Sequence, residues 1–463
     1  MAFLEILLAV ILCGVMFLVL ASKETLPWNW PFIKMMPTMY LESHKVYDKT
    51  TQMLSQNNGT ILFRTSWISS NDILVTSDVG NVQHIMNSKF SIYQRGLAFK
   101  DVFDFLGDAA FNKSLDEWKE EKKITHAYFR LNDYHKTTPK IIHHTLEKGL
   151  IPILDNAAEK DQILDMQSLF NRYMLDATCI LGTGFDPGSL RVGFPQTPLL
   201  NAMDDIAEAA FYRHILPEKV WKLQRFLNIG TEKKMVGASK TFDRILDEYV
   251  SKKQDSSASG PETWTDTSGA LLTWFFWQIS KNPEVKTKIL QEIKQTCPHT
   301  ASQKHIFSNL DELGKLVYLH SALSEALRIF PTAPFLLRVP NQEDVLPSGH
   351  KVNQDTKVML CSYAMGRNPE IWGEDCCEFK PERWISDKGG IKHFSSTSFV
   401  VFGSGPWTCP GRELAFTRMK AVAATILHNF TVHISQGQSI IPGVSAILTM
   451  KHGLKVTVSK RWG

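Results

Sequence analysis

The residues around Cys409 combine a thiol with a backbone setting that could make it a metal ligand. Cys409 lies between glycine-containing turns in residues 402–411, and a helical pattern of apolar residues follows it directly. A thiol at the start of a helix faces unpaired backbone N–H groups and the positive end of the helix dipole, and both favour the thiolate. A rigidly held thiolate is a good axial ligand for heme iron, where it promotes O–O bond cleavage. The alternative interpretation is a buried structural cysteine.

A carboxylate and a guanidinium stand three residues apart at Glu325 and Arg328. Both lie in a helix predicted over residues 317–330, which Pro331 ends. This spacing places the two side chains on one face of the helix, away from its apolar residues. Taken alone, the pair indicates a solvated surface ion pair, whereas a buried pair would hold a fixed geometry.

The ten residues around Cys409 resemble the heme-binding signature of the cytochrome P450 family, Phe-x-x-Gly-x-Arg-x-Cys-x-Gly. Phe402, Gly405, Cys409 and Gly411 match it, and Trp407 replaces the arginine. The resemblance implies that Cys409 ligates the iron of heme b and that Phe402 contacts the cofactor. The family's arginine pairs with a heme propionate, and an indole N–H cannot replace a guanidinium. We therefore expect weakened propionate contacts.

The same resemblance assigns further cofactor contacts. Trp118 and Lys122 stand where the family has Trp-x-x-x-Arg, whose tryptophan and arginine side chains reach the propionates. Lys122 keeps the positive charge of that arginine but lacks the paired N–H donors of a guanidinium. Arg338 stands where the family often places a propionate-binding arginine. Without the family context, Trp118 could simply be a core aromatic residue on an amphipathic helix.

The resemblance also changes the interpretation of the Glu325–Arg328 pair. Arg383 lies between this pair and Cys409 in a Phe-x-Pro-Glu-Arg-Trp segment, which is the order found in the family. Glu325, Arg328 and Arg383 would then form a buried, hydrogen-bonded triad that braces the proximal side of the heme.

Asp266 and Thr267 match the acid–alcohol pair that relays protons to bound dioxygen in the family. Asp266 could also be an ordinary helix N-cap. The Ala-Gly pair expected before them falls on Thr263 and Trp264. Residues 251–265 are polar with a Gly-Pro breaker, which predicts a flexible surface loop in place of the first half of the helix. We therefore expect a shortened distal helix near residues 251–268.

Composition and periodicity predict a mainly α protein with a small β portion, and the resemblance implies the cytochrome P450 fold. Among 463 residues, 43% are hydrophobic and 21% are charged, which supplies a sizeable core. A net charge of +4 argues against nucleic-acid binding. Seven scattered cysteines without a Cys-x-x-Cys pair argue for reduced thiols rather than a disulfide framework or a zinc site. Strands are predicted at residues 61–64, 73–76 and 399–402, and helices at residues 79–86 and 163–180.

The N-terminus predicts a membrane anchor over residues 1–22. Glu5 is the only charge between Phe3 and Ala21, and this run is long enough to cross a bilayer. The alternative, a cleaved signal peptide, lacks a basic region before the apolar run. Residues 23–37 form a Pro/Trp-rich linker suited to a membrane interface, and residues 38–463 form the heme-binding monooxygenase domain. Resemblance to microsomal members implies a single-pass protein of the endoplasmic reticulum membrane with a cytosolic catalytic domain.

Further segments, among them residues 29–31, 149–154 and 272–277, resemble the plant midchain alkane hydroxylases, relatives of the plant long-chain fatty acid ω-hydroxylases. The resemblance implies hydroxylation of long alkanes or fatty acids by dioxygen, with electrons from NADPH delivered through a cytochrome reductase flavoprotein. No nucleic-acid partner is expected.

Three alternatives stay open at this point. The incomplete distal helix and the changes at Lys122 and Trp407 suggest a catalytically impaired or non-catalytic heme-fold protein, with weak heme binding and slow turnover. A family member that rearranges peroxides without a reductase is a second alternative, against which the retained Asp266 and Thr267 argue. A membrane-tethered structural protein would leave the ordered series of motifs unexplained.

Overall fold

The structure is a computed structural model that describes residues 40–64, 72–107, 109–130, 132–251, 266–298 and 303–462. The predicted anchor over residues 1–22 and the linker over residues 23–37 lie outside this part of the chain. So do residues 252–265, which make up nearly all of the predicted loop and include Thr263 and Trp264. No helix within the described ranges has the length and apolarity that a membrane crossing requires.

The chain is mainly α with a small β portion, as predicted. Short 3₁₀ and π segments join several of the helices. The α-helices are α1 (Val46–Gln56), α2 (Val79–Gln83), α3 (Gly96–Val102), α4 (Leu115–Arg130), α5 (Asn132–Thr145), α6 (Ile151–Glu159), α7 (Met166–Thr183), α8 (Pro198–Ile215), α9 (Glu218–Leu227), α10 (Gly230–Ser251), α11 (Asp266–Lys281), α12 (Pro283–Thr296), α13 (Leu310–Lys315), α14 (Val317–Ile329), α15 (Ser362–Met365), α16 (Pro369–Trp372) and α17 (Arg412–Asn429).

The strands form three small sheets. They are β1 (Thr60–Phe63), β2 (Ile73–Thr76), β3 (Tyr93–Gln94), β4 (Leu164–Asp165), β5 (Phe335–Pro340), β6 (Asp344–Val345), β7 (Lys351–Val352), β8 (Lys357–Cys361), β9 (Phe430–Ile434) and β10 (Lys455–Lys460). The largest sheet has the order β1-β2-β8-β5-β3, in which only the β2–β8 pair is parallel. A three-stranded sheet has the order β4-β10-β9, and β6 pairs with β7.

Helix α11 runs through the main hydrophobic core, where it packs against α7, α14 and α17. Trp274, Phe275 and Phe276 of this helix are all buried. The Trp274 ring stacks on Phe330 with centroids 4.1 Å apart, and its Nε1 donates to the Leu448 carbonyl oxygen at 2.8 Å. This packing fixes α11 next to the helix that follows Cys409.

Several predicted boundaries differ from the structure. The helix predicted over residues 163–180 begins at Met166, because Leu164 pairs with Val456 in a short strand and the Asp165 side chain accepts from the Gln167 N–H. Ser251 is the last residue of α10 rather than the first residue of a loop.

The strand predicted over residues 399–402 is wrong. Residues Val400–Phe402 form a 3₁₀ turn, and Gly403 follows with a φ of +72°. The chain folds back at this glycine, so that the Cys409 N–H donates to the Phe402 carbonyl oxygen at 2.7 Å. The backbone of this apolar run therefore forms a hydrogen bond within the loop that carries Cys409.

Candidate functional site

Two glycines in left-handed conformations shape the loop that carries Cys409. Gly403 has a φ of +72° and Gly405 a φ of +59°, which other residues adopt only with strain. A side chain at Gly405 would also collide with the carbonyl oxygen of Met86. Together with the bond from the Cys409 N–H to Phe402, these constraints hold the thiol just ahead of α17.

The Cys409 side chain is accessible to solvent, although many atoms surround it. This crowding removes water from the thiol and raises its pKa. The backbone N–H of Gly411 and the charges of Lys122 and Arg412 act in the opposite direction but do not compensate for the lost hydration. The donors predicted at the start of the helix are thus present, but they do not by themselves make the thiolate the favoured form. A bound metal ion would do so, because a coordinating thiol is deprotonated.

Trp118 and Lys122 reach the Cys409 loop from α4. Trp118 Nε1 donates to the carbonyl oxygen of Pro406 at 3.0 Å, and Lys122 Nζ donates to the same oxygen at 3.1 Å. Desolvation by burial lowers the pKa of Lys122. The structure thereby brings two of the predicted cofactor-binding residues to one side of the loop.

Arg338 and Trp407 meet beside this contact. The Arg338 guanidinium carbon lies 5.0 Å from the centre of the Trp407 ring, and the ring of Trp118 stacks on Trp407 at 6.1 Å. Arg95 lies on the same indole, with its guanidinium carbon 4.6 Å from the Trp407 ring centre. We call Arg95, Trp118, Arg338 and Trp407 the arginine–tryptophan cluster, and all four side chains are buried.

The electrostatics of this cluster favour an anionic ligand. Burial lowers the pKa of Arg338 to about 10. Burial and the charge of Arg338 both lower the pKa of Arg95. Within the described residues Arg338 forms no ion pair, and the buried atoms Arg338 Nε and Trp407 Nε1 have no hydrogen-bond partner. Buried donors of this kind are costly unless a ligand satisfies them.

Glu325 and Arg328 form a fully buried pair rather than a surface pair. Arg328 Nε and Nη2 donate to the two carboxylate oxygens of Glu325, each at 2.8 Å. Arg383 Nε donates to the same carboxylate at 3.3 Å, and Trp384 Nε1 does so at 2.9 Å. The expectation for an isolated Glu-x-x-Arg pair fails here because residues 366–384 fold over this face of α14 and exclude water.

The arginines of this triad also bind backbone carbonyl oxygens of residues 366–378, before, in and after α16. Arg328 donates to the carbonyl oxygens of Gly366, Cys376 and Glu378, the last two at 2.5 and 2.9 Å. Arg383 donates to the carbonyl oxygens of Trp372 and Asp375 at 2.7 and 2.5 Å. The triad therefore fixes the backbone of the segment leading to the Cys409 loop.

Helix α11 begins with Asp266 and Thr267, and the Thr267 side chain is half-buried. The Asp266 side chain lies outside the described residues. No hydrogen bond joins Thr267 to the Cys409 loop in the part of the chain that the structure covers. Thr267 and the Cys409 loop are connected through helix packing, since α11 contacts α17, the helix that begins just after Cys409.

The sequence pattern of the Cytochrome P450 family matches residues 25–263 and 265–458, which include every residue of this site. This chain belongs to the cytochrome P450 family. It is a cytochrome P450 monooxygenase, and the catalytically impaired alternative is not favoured by a match that extends over nearly the whole chain.

Plant P450 proteins are similar to this chain along almost its full length. Alkane hydroxylase MAH1 of Arabidopsis thaliana is 38% identical, covering 94% of this chain and 93% of that protein. Noroxomaritidine synthase of Narcissus aff. pseudonarcissus MK-2014 is 35% identical, covering 99% and 96%. Cytochrome P450 86B1 of Arabidopsis thaliana is 33% identical, covering 93% and 85%.

The family match breaks at residue 264, two residues before α11. The alignment with Alkane hydroxylase MAH1 spans 473 positions and that with Noroxomaritidine synthase 497, both more than the 463 residues of this chain. Each relative therefore has residues with no counterpart in this P450. A shortened distal helix agrees with these observations, and it stays a prediction because residues 252–265 lie outside the described ranges.

The residues present fit a heme b group. Cys409 offers a single thiol ligand, and the arginine–tryptophan cluster with Lys122 offers cations and unpartnered donors for two carboxylates. When bound, the heme iron supplies the oxygen chemistry of a P450. Phe402, at the start of the loop, packs against α17, with its ring 5.6 Å from that of Phe416. These residues would hold the cofactor beside the Cys409 loop.

Arg95 is the residue that sequence reasoning missed. It follows strand β3, whose antiparallel pairing with β5 sets Gln94 opposite Val339. The same pairing brings Arg95 close to Arg338, although the two are far apart in the sequence. An Arg-Gly pair after a two-residue strand carries no local signal of this role, so only the sheet register could have revealed it.

Proposed function

We propose that this P450 hydroxylates long-chain aliphatic substrates, alkanes or fatty acids, with dioxygen and electrons from NADPH. The observation that carries the proposal is the 38% identity with Alkane hydroxylase MAH1 over 94% of the chain, together with a complete thiol loop at Cys409. An inert aliphatic chain needs a strong oxidant, which a heme–thiolate centre supplies.

Each polar group of the site has a distinct task in this proposal. Cys409 ligates the iron, and Lys122, Arg338 and Arg95 hold the propionates of the heme. The triad of Glu325, Arg328 and Arg383 keeps the segment that leads to the Cys409 loop rigid, so that the thiol stays in place. None of these groups needs to contact the substrate.

Asp266 and Thr267 are proposed to deliver protons on the distal side. Thr267 lies in the first turn of α11, and its half-buried side chain supplies a hydroxyl that can pass on a proton. Asp266, one residue earlier in the sequence, supplies a carboxylate, a group that can accept and donate protons. Proton delivery in this arrangement does not require a histidine.

Electron supply and location follow from the same assignment. We propose that an NADPH–cytochrome reductase flavoprotein docks on the cytosolic side of the endoplasmic reticulum membrane. The proposed anchor over residues 1–22 would hold the catalytic domain next to this partner and next to water-insoluble substrates. The unbroken apolar run from Ile6 to Leu20 supports this placement.

The test is reconstitution of the full chain with the reductase flavoprotein, NADPH and either a long n-alkane or a matched fatty acid. We expect an alcohol that carries oxygen from isotopically labelled dioxygen. The Thr267→Ala variant is expected to consume NADPH while it forms less alcohol, because it lacks the hydroxyl that delivers protons to the site. No alcohol from either substrate, with full heme occupancy, would contradict the proposed function.

A further inference from the structure

Cys376 and Cys377 carry two sulfur atoms side by side in residues 373–380, the loop that follows α16. They are the only adjacent cysteines in the chain, and their Sγ atoms lie 4.0 Å apart. The Cys377 side chain is exposed, and the Cys376 side chain is buried beneath it. A reagent can therefore reach the Cys377 sulfur from solvent, and the Cys376 sulfur lies 4.0 Å from it.

This separation places both sulfurs within reach of one thiophilic atom. Two bonds of about 2.3 Å to a single atom span at most about 4.6 Å, and a small rotation of the two side chains would shorten the observed 4.0 Å to the distance that a pyramidal atom needs. Soft sulfur ligands select soft, thiophilic elements over hard cations. A disulfide between neighbouring residues would instead need a strained backbone, so the two sulfurs stay available as thiols.

The backbone around the pair is held in place before any ligand arrives. The Cys376 carbonyl oxygen accepts from Arg328 Nη1 at 2.5 Å, and Cys376 Sγ donates to the Arg367 carbonyl oxygen at 3.2 Å. Arg383 Nη2 donates to the preceding carbonyl oxygen, that of Asp375, at 2.5 Å. Preorganisation of this kind lowers the entropic cost of binding at two points.

We propose that Cys376 and Cys377 form a chelation site for trivalent organoarsenic compounds. An arsenic oxide R–As=O reacts with both thiols, so that two As–S bonds form and the oxygen leaves with the two thiol protons as one water molecule. The arsenic stays trivalent, and no oxidant or reductant takes part. Burial raises the pKa of the Cys376 thiol, and the neighbouring Cys377 raises it further.

The experiment treats the full-length holoenzyme with phenylarsine oxide, washes it with excess mercaptoethanol and measures retained arsenic by peptide mass spectrometry. We expect one equivalent on the peptide that contains both cysteines, released only by a dithiol such as dithiothreitol. The second sulfur acts at a high effective concentration, so Cys377→Ser should lose the label about a hundredfold faster.

Cys179→Ser is the matched control, since it removes a thiol from another part of the chain, and it should retain the label as the unmodified protein does. The reduced carbon monoxide spectrum of each variant verifies that it is folded around heme. Loss of the label from the unmodified protein in the monothiol wash would overturn the proposal. Equal retention by Cys377→Ser, or a label on a different peptide, would overturn it as well.

Discussion

The guanidinium of Arg338 lies over the ring of Trp407, with its central carbon 5.0 Å from the ring centre. Trp407 occupies the position where the family signature has an arginine. Arg95 lies on the same indole at 4.6 Å, so the tryptophan contacts two buried cations instead of adding a third. We therefore expect the positive charge for the propionates to come from residues elsewhere in the sequence.

Replacing Arg338 with methionine should have opposite effects on the two forms of the protein. Without heme, the change removes a buried cation with an unpartnered Nε, and we expect the free energy of unfolding to rise by about 1–3 kcal/mol. With heme, it removes a charged hydrogen bond, and heme transfer to an acceptor protein should become about ten- to a hundredfold faster. Arg338→Lys is the control that keeps the charge. An unchanged rate of heme transfer in Arg338→Met would show that Arg338 does not hold the cofactor.

Glu325→Ala should destabilise the protein strongly. The change leaves the Arg328 guanidinium buried without a carboxylate, which costs about 3–5 kcal/mol. Denaturant unfolding of the heme-free protein measures this loss. Glu120→Ala, which breaks the exposed pair with Lys123, is the matched control and should cost at most about 1 kcal/mol. Similar losses in the two variants would refute the bracing role of the triad.

His320 should make the protein sensitive to acid. Its ring stacks on Phe416 at 4.1 Å, and burial, with the charges of Lys420 and Arg412, lowers its pKa to about 3. The unfolded chain binds this proton below about pH 6.5 but the folded chain does not, so stability falls as the pH drops from 6.5 towards 3. His320→Gln should reduce this slope by at most about 1.4 kcal/mol per pH unit. The exposed residue His452 provides the control variant, and identical slopes for His320→Gln and the unmodified protein would contradict the prediction.

Local sequence signals were sufficient for the thiol loop and for the helices with strong periodicity. Cys409, its glycines and the following helix are neighbours in sequence, so the local sequence is enough to predict their arrangement. Burial of Glu325 could be expected only from the resemblance, since the residues that cover it come from a loop some fifty positions later. The position of Arg95 and the turn at residues 400–402 depend on contacts between distant segments. Such contacts cannot be predicted from the periodicity of apolar residues.

The predicted membrane topology can be tested at one glycosylation sequon. Asn58 is exposed in a turn, whereas Asn112 and Asn429, the asparagines of two further sequons, are buried. Asn58 is therefore the sequon that a luminal domain would modify. We expect no mobility shift after endoglycosidase treatment of the protein made in microsomes, and Asn58→Gln should migrate identically. A shift that Asn58→Gln abolishes would place the domain in the lumen.

The reduced carbon monoxide spectrum of the full chain and of Cys409→Ser tests the central claim, that Cys409 is the thiolate ligand of a heme iron. The unmodified chain should show the red-shifted Soret band of a thiolate-ligated heme, and Cys409→Ser should lose this band, because a serine hydroxyl cannot supply the sulfur ligand. Cys377→Ser, which removes an exposed thiol from the neighbouring loop, should keep the band. A red-shifted band that persists in Cys409→Ser would contradict the account.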